Sequence, residues 1–423
     1  MAKILLVEPG RPSESFYIER EMASEGIGRI ATYTKLYGHE IKIVDMATYR
    51  VDFNKLVTII KEYKPDIVGI TSSTFNILSA YETARKVKFV SDDIFVVIGG
   101  AHATALPDLT LNECNEIDSV VVGEGEVALK NIAENPEKGI IKEDLIEDLD
   151  SLPFIDWSFF DYRRFKKFTS ITLGGDFHKY PFSLQRGCPF TCQFCSNKLF
   201  PKVRNFSSEY VFNNILYNLI NFQARFFYWS DATLLAKKQE VHEVCEKIIK
   251  SKINISLIVQ SRADTIDKES VKLLRRAGCE TLFIGVESGN EDILKSCGKN
   301  LNKDTIRSAV KIVKSCGIPR IRSSFIIGLE GDTRESIRET IAFSQELKSY
   351  GLNRASFHTL DIYPGTDYWN RVIANNSTLK FRTFPGDWAS YSRLYPMTIC
   401  GDISDVELKM FRDEGKKHFP EEF

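Results

Sequence analysis

No apolar stretch of this 423-residue chain approaches the ~20 residues that a bilayer-crossing helix requires, which excludes a membrane span. An excess of one charge is lacking too. Lys and Arg number 56 against 57 Asp and Glu, without a long run of either sign, so nothing points to a nucleic-acid partner. A signal-peptide core is missing: the apolar run Ile4–Val7 meets Glu8, Pro9 and Gly10 at once, which predicts a cytoplasmic protein. Nor is there a disulfide framework. Nine cysteines, an odd number scattered through the chain, read as reduced thiols or metal ligands. No internal repeat or low-complexity tract occurs.

What is present is an ordinary globular composition, 43% apolar and 12% aromatic, long enough for two or three domains. Residues 1–134 alternate apolar β-branched runs (Ile4–Val7, Ile41–Val44, Ile67–Thr71, Ile94–Ile98, Val120–Val122) with helical segments (Glu21–Tyr37, Phe53–Tyr63, Ile77–Phe89). This pattern predicts a doubly wound, Rossmann-like parallel sheet. Residues 135–180 lose the rhythm and read as a connecting segment. A second alternation over 181–367 places strands at Phe182–Gln185, Arg225–Trp229, Ile255–Gln260, Thr281–Gly285, Arg322–Ile327 and Ala355–Leu360, a partial (β/α)6 barrel of TIM type. In the helix after the fifth strand, Asp332 reads as the cap and Glu335 as its partner carboxylate. Residues 368–423, mixed in charge and aromatic, read as a small C-terminal cap.

Six cysteines (114, 245, 279, 297, 316 and 400) stand alone, as small buried hydrophobes do. Cys188, Cys192 and Cys195 are different. In Gly187-Cys188-Pro189-Phe190-Thr191-Cys192-Gln193-Phe194-Cys195 the Cys-x3-Cys-x2-Cys spacing follows the first barrel strand, at the mouth where barrel enzymes do chemistry. Three thiolates in one loop suit soft iron and leave one iron of a four-iron cluster open to a small molecule. A structural zinc site wants a fourth ligand, and the nearest histidine, His178, is at no usual spacing.

The cysteine spacing, with Phe194 at the aromatic position, resembles that of the radical S-adenosylmethionine (radical SAM) superfamily. The resemblance implies a [4Fe-4S] cluster on Cys188, Cys192 and Cys195. SAM would chelate the open iron, and its one-electron cleavage would give a 5′-deoxyadenosyl radical that abstracts hydrogen from an unactivated carbon. It also implies, position by position, that Phe194 packs near the adenine and that Asp231, where relatives carry Gly-Gly-Glu, meets the SAM amine. Ser261 and Arg262 would meet the methionyl carboxylate, Glu287 the ribose, and Ile326, in the fifth strand, the adenine. For Asp231, Ser261, Arg262, Glu287 and Ile326 a plain strand-end role stays open. No residue is assigned to acid–base catalysis.

The runs Val97–Thr104 and Val122–Glu126 resemble the cobalamin-binding type of domain that precedes the barrel in one large radical SAM subgroup. Candidate contacts there are Thr71, Ser72, Gly99, Gly100, Gly123 and Glu124. The first strand ends in Glu8-Pro9-Gly10-Arg11-Pro12-Ser13 with no histidine, which excludes histidine ligation to cobalt from that turn. His102 reads as structural. The single N-terminal cysteine, Cys114, argues against a methylthiotransferase with a second cluster.

The resulting expectation is a cytoplasmic, oxygen-sensitive radical SAM enzyme of a biosynthetic pathway. It acts on a small-molecule substrate and draws electrons from a reductant such as flavodoxin or ferredoxin, with cobalamin-dependent methyl transfer as its reaction. Two alternatives stand: a cobalamin-independent dehydratase, rearrangement or cyclisation enzyme with a vestigial B12-type domain, and a non-catalytic ligand or metal sensor. Tyr363, His358 and Trp388 are candidate substrate contacts.

Overall fold

The structure, a computed structural model, describes residues 1–10, 21–200, 202–383, 385–391 and 398–419. It divides into two compact units, Met1–Lys167 with Gly386–Arg393, and Phe168–Pro385 with Leu394–Phe423.

In the first unit the β-branched runs form β1 (Lys3–Glu8), β2 (Glu40–Asp45), β3 (Ile67–Thr71), β4 (Phe95–Gly99) and β5 (Ser119–Val122). A further strand, β6 (Gly139–Lys142), comes from the stretch that reads as connecting. The order is β2-β1-β3-β4-β5-β6 with every neighbouring pair parallel. Parallel strands need crossovers, and α1 (Glu25–Lys35), α2 (Phe53–Tyr63), α3 (Ile77–Val90), the short α4 (Ala101–Ala105) and α5 (Pro107–Glu113), and α6 (Glu126–Glu134) supply them. Strands covered on both faces are apolar throughout: Ile4, Leu5, Val7, Val68, Val96, Ile98 and Val120 are all but inaccessible. The edge strand β6 alternates half-buried and exposed residues, so it carries no continuous apolar run.

The second unit starts with β7 (Lys167–Ser170) and β8 (Gly175–Phe182), followed by a short antiparallel ribbon, β9 (Gln185–Arg186) on β10 (Arg204–Asn205). Strands β11 (Phe226–Trp229), β12 (Ser256–Arg262), β13 (Cys279–Glu287), β14 (Arg320–Ile327) and β15 (Arg354–Thr359) complete a sheet ordered β15-β14-β13-β12-β11-β8-β7. From β8 to β15 the six strands are parallel neighbours, the expected partial barrel. Between them run α7 (Ser208–Phe222), α8 (Lys238–Ser251), α9 (Lys268–Arg276), α10 (Glu291–Ser296), α11 (Lys303–Ser315) and α12 (Arg334–Ser349). The first barrel strand thus precedes the Phe182–Gln185 of the sequence reading. The backbone N–H groups of Leu184 and Gln185 bond the Asp231 carboxylate instead of a neighbouring strand.

The sheet has two chemically distinct faces. On β14, Ile321, Ser323, Phe325 and Ile327 are buried under helices, while Arg322, Ser324 and Ile326 are only half-buried on the other face. On the covered face Phe325 stacks on Phe357 of β15, ring centroids 5.0 Å apart. Helix α13 (Asp367–Ile373) and the ribbon β16 (Leu379–Phe381)–β17 (Thr398–Cys400) lead to α14 (Asp405–Lys417). That last helix rests on Phe357 through Gly415, where any Cβ would fall 2.6 Å from the ring.

The cap of α12 differs from the sequence reading. Thr333 is the N-cap, in a reciprocal box with Ser336. Asp332 turns its carboxylate back onto Gly328 N, Leu329 N and Ser336 Oγ. No helix among the described residues is long and apolar enough to cross a membrane.

Candidate functional site

The loop from Gly187 to Cys195 leaves the C-terminal end of β8 and is held in place at several points. At its start, Asp231, 2% exposed at the end of β11, accepts from Leu184 N at 2.9 Å and Gln185 N at 2.6 Å. At its centre, Gln193 N donates to Cys297 O at 2.9 Å, after α10. The next residue there, Gly298, has φ +73°, and a Cβ on it would lie 2.8 Å from Thr191 O. Only glycine permits that approach. From α13, Tyr368 N donates to Gln193 O, Arg371 Nη1 donates to Gln193 Oε1 at 2.6 Å, and Asp367 pairs with Lys198.

The three cysteines are free and half-buried in this braced loop. Cys195 N donates to Cys192 O at 3.1 Å, closing a tight turn around the half-buried Phe194. Cys188 Sγ lies 3.9 Å from Thr233 Oγ1. Burial pushes the Cys192 and Cys195 thiols up, and at Cys192 the nearby Lys299 and Arg262 cations pull the other way. Arg262 Nη1 is 3.5 Å from Cys192 Sγ. A loop of three thiol sulfurs with cations beside it matches the donor chemistry of an iron–sulfur cluster. Among the described residues no three His, Cys, Asp or Glu side chains gather round a single point as one ion would require.

Across the mouth, Glu287 ends β13 beside a register shift, at φ +71°, an uncommon conformation for a residue with a side chain. Its carboxylate is buried with Lys299 Nζ at 2.7 Å, the two side chains 9% and 5% exposed, and it accepts from Ser324 Oγ at 3.2 Å. That bond places Ser324, and by strand alternation Ile326, on the face of the sheet that Glu287 shares.

Several anticipated contacts have partners within the fold. Ser261 Oγ accepts from Leu235 N and lies 2.8 Å from Thr265 Oγ1. Arg262 donates to Asp264 through Nε and Nη2 and to Lys299 O. His358 is exposed on β15, and Tyr363 is half-buried after it. Residues the sequence reading missed are Gly298, Lys299 and Arg371. Cys297-Gly298-Lys299 carries a signal in retrospect, a glycine ending a short helix before a lysine, but nothing in the sequence ties it to a loop a hundred residues earlier.

In the first unit, Thr71 pairs with Gly99 across β3 and β4, and the Ser72 hydroxyl donates to Gly99 O at 2.8 Å. Gly100, φ +100°, owes its glycine to that same turn: a Cβ would fall 2.4 Å from Ser72 O. Gly123 differs. It has φ +91°, its N–H bonds Thr104 Oγ1, and open space surrounds its Cβ position. Glu124 Oε2 accepts from Ile146 N. His102 is 1% exposed, with Nδ1 3.2 Å from Thr74 Oγ1 and a pKa lowered to about 4 by burial. Residues 11–13 of the turn after β1 lie outside the described residues.

Trp388, a candidate substrate contact in the sequence reading, is instead part of this unit. Its ring meets His102 edge-on, centroids 4.7 Å apart, and its Nε1 donates to the Glu113 carboxylate that also accepts from Tyr81 OH. A segment far along the chain therefore completes the N-terminal unit.

Residues 182–344 match the family model of the radical SAM superfamily, and residues 18–133 match that of the B12 binding domain. An uncharacterised methyltransferase of Pyrococcus horikoshii is 31% identical over 97% of this chain and 89% of its own length. The anaerobic magnesium-protoporphyrin IX monomethyl ester cyclase of Rubrivivax gelatinosus is 26% identical over 81% of this chain and 66% of its own. Among solved structures, the radical SAM methyltransferase TsrM of Kitasatospora setae, with cobalamin and a [4Fe-4S] cluster bound, superposes with a TM-score of 0.74 at 14% identity over 99% of this chain and 91% of that one. The cobalamin-dependent radical SAM enzyme OxsB gives 0.70 at 17% identity, over 99% and 66%. With a doubly wound sheet followed in sequence by a six-strand partial barrel that carries the braced three-cysteine loop, the chain belongs to the radical SAM superfamily and has an N-terminal B12 binding domain.

Proposed function

We propose that this protein is a cobalamin-dependent radical SAM methyltransferase that methylates a carbon of a small molecule. Cys188, Cys192 and Cys195 hold a [4Fe-4S] cluster, SAM lies at the mouth between that loop and Glu287, and cobalamin lies on the C-terminal edge of the first sheet. When bound, these groups supply one-electron cleavage of SAM and a transferable methyl group. The chain's own residues bind, orient and shield. Asp231 and Gly298 fix the loop, Lys299 and Glu287 form a buried polar pair able to meet the charged end or the ribose of SAM, and Ile326 lines the same face. Gly123, with open space at its Cβ position, leaves room for cobalamin. The three-cysteine loop clamped to the Cys297–Lys299 turn is the observation that carries this reading. An external low-potential one-electron donor is required.

A second reading has specific support. Relatives named as magnesium-protoporphyrin IX monomethyl ester cyclases are among those this chain resembles, and Ser72, Gly100 and Glu124 are occupied with their own fold. On that reading the radical drives ring closure or dehydration without methyl transfer. Anaerobic incubation of the reconstituted protein with SAM and reductant, with and without cobalamin, separates the two. Methyl transfer requires cobalamin to stay with the protein through gel filtration and to be needed for turnover. Full 5′-deoxyadenosine formation in a protein that never retains cobalamin refutes it.

A further inference from the structure

Arg262 is held from every side. It is 6% exposed, at the C-terminal end of β12. Its Nε and Nη2 donate to Asp264 Oδ1 and Oδ2 at 3.1 and 3.0 Å, a two-pronged pair that fixes the guanidinium plane. Nη2 also donates to Lys299 O at 2.7 Å. The ring of Phe190, two residues before Cys192 in the cysteine loop, lies 3.9 Å from the guanidinium carbon. With these groups satisfied, Nη1 is directed at Cys192 Sγ, 3.5 Å away.

We propose that Arg262 is a positioning residue that sets the reduction potential of the cluster, by donating a fixed N–H to the sulfur of Cys192. The inference rests on the reading of the three cysteines as cluster ligands. Reduction adds one electron, taken from the external donor, to a cluster whose negative charge spreads onto its thiolate sulfurs. A buried N–H aimed at one of those sulfurs stabilises the reduced state more than the oxidised one, so it raises the potential. Because the site is little exposed, water and salt screen this effect weakly. Asp264 opposes it in part, since its negative charge balances the guanidinium it orients. Lysine cannot replace this geometry: its ammonium has neither the planar fork for Asp264 nor the flat face for Phe190.

The test is an EPR-monitored potentiometric titration of the reconstituted full-length protein, with iron and sulfide content measured on each sample. In R262Q the reduced-to-oxidised ratio at a fixed poise falls about tenfold, a downward shift of ~59 mV for a one-electron couple. R262K lies between R262Q and wild type, and D264N shifts upward. Protein labelled with 15N-arginine shows nitrogen coupling to the reduced cluster by pulsed EPR, and R262K abolishes it. A fully loaded R262Q with the wild-type potential overturns the proposal. If R262Q loads no cluster, D264N decides, since it leaves Arg262 and the cysteines in place; a wild-type potential there, together with no arginine nitrogen coupling in the wild type, also overturns it. Failure of the wild-type protein itself to load a cluster refutes the cluster assignment instead.

Discussion

Gly298→Ala tests the clamp on the cysteine loop directly. The backbone at Gly298 has φ +73°, which costs an L-residue ~1–2 kcal/mol, and the added Cβ would sit 2.8 Å from Thr191 O. A contact that short to a backbone oxygen forces the two segments apart, and the neighbouring bond from Gln193 N to Cys297 O is the first to lengthen, a further loss of ~1 kcal/mol. Together the loop's docking weakens by ~2–3 kcal/mol, on the order of a hundredfold in the docked fraction. The expected outcome is a folded protein, unchanged by circular dichroism, that takes up much less iron and sulfide on reconstitution. Gly317→Ala is the control: φ is +78° there, but nothing lies within 4 Å of its Cβ position, so it bears the strain without the clash. Full cluster loading in Gly298→Ala, equal to Gly317→Ala, would refute the argument that this turn holds the loop.

Cys192→Ala removes a ligand and is expected to abolish SAM cleavage, measured as 5′-deoxyadenosine, and to lower bound iron. Lys299→Met leaves the Glu287 carboxylate buried without its ion partner and is expected to destabilise the second unit by about 3–5 kcal/mol in urea unfolding, with the double variant Lys299→Met/Glu287→Met recovering part of the loss. His102 titrates at about 4 in the folded protein against 6.5 when free, so the unfolded chain takes up the proton first. Its contribution is therefore present above about pH 6.5 and lost as pH falls toward 4, and His102→Asn should flatten that part of the stability–pH profile of the first unit. Trp388→Ala deletes the edge contact to His102 and the bond to Glu113, and should cost the first unit ~3–5 kcal/mol, read as a lower unfolding midpoint.

Much of the fold was legible because its strands are buried on both faces and so spell continuous apolar runs. β1, β3, β4 and β5 of the first unit and β12 of the second are examples. Where a strand carries polar residues on one face the signal fades: β8 carries Asp176 and His178, and β6 alternates exposed residues, so the first was misplaced by several residues and the second missed. The cysteine loop was legible because its chemistry is compressed into eight residues. Its supports were not. Asp231, Gly298 and Arg371 act on it from three separate elements, and only the folded chain brings them together. Asp332 was read as a helix cap because carboxylates often cap, whereas the fold uses it to pin the turn at Gly328.

The placement of Trp388 bears on how the protein is made. A ribosome adding ~5–20 residues per second leaves the N-terminal sheet waiting, on the order of ten seconds, for the indole that seats on His102 and Glu113. During that interval Tyr81 and Glu113 lack their last neighbour. Maturation of the first unit is thus postponed until residue 388 has emerged, and a fragment cut after the sixth strand would lack a wall that its own sequence does not encode.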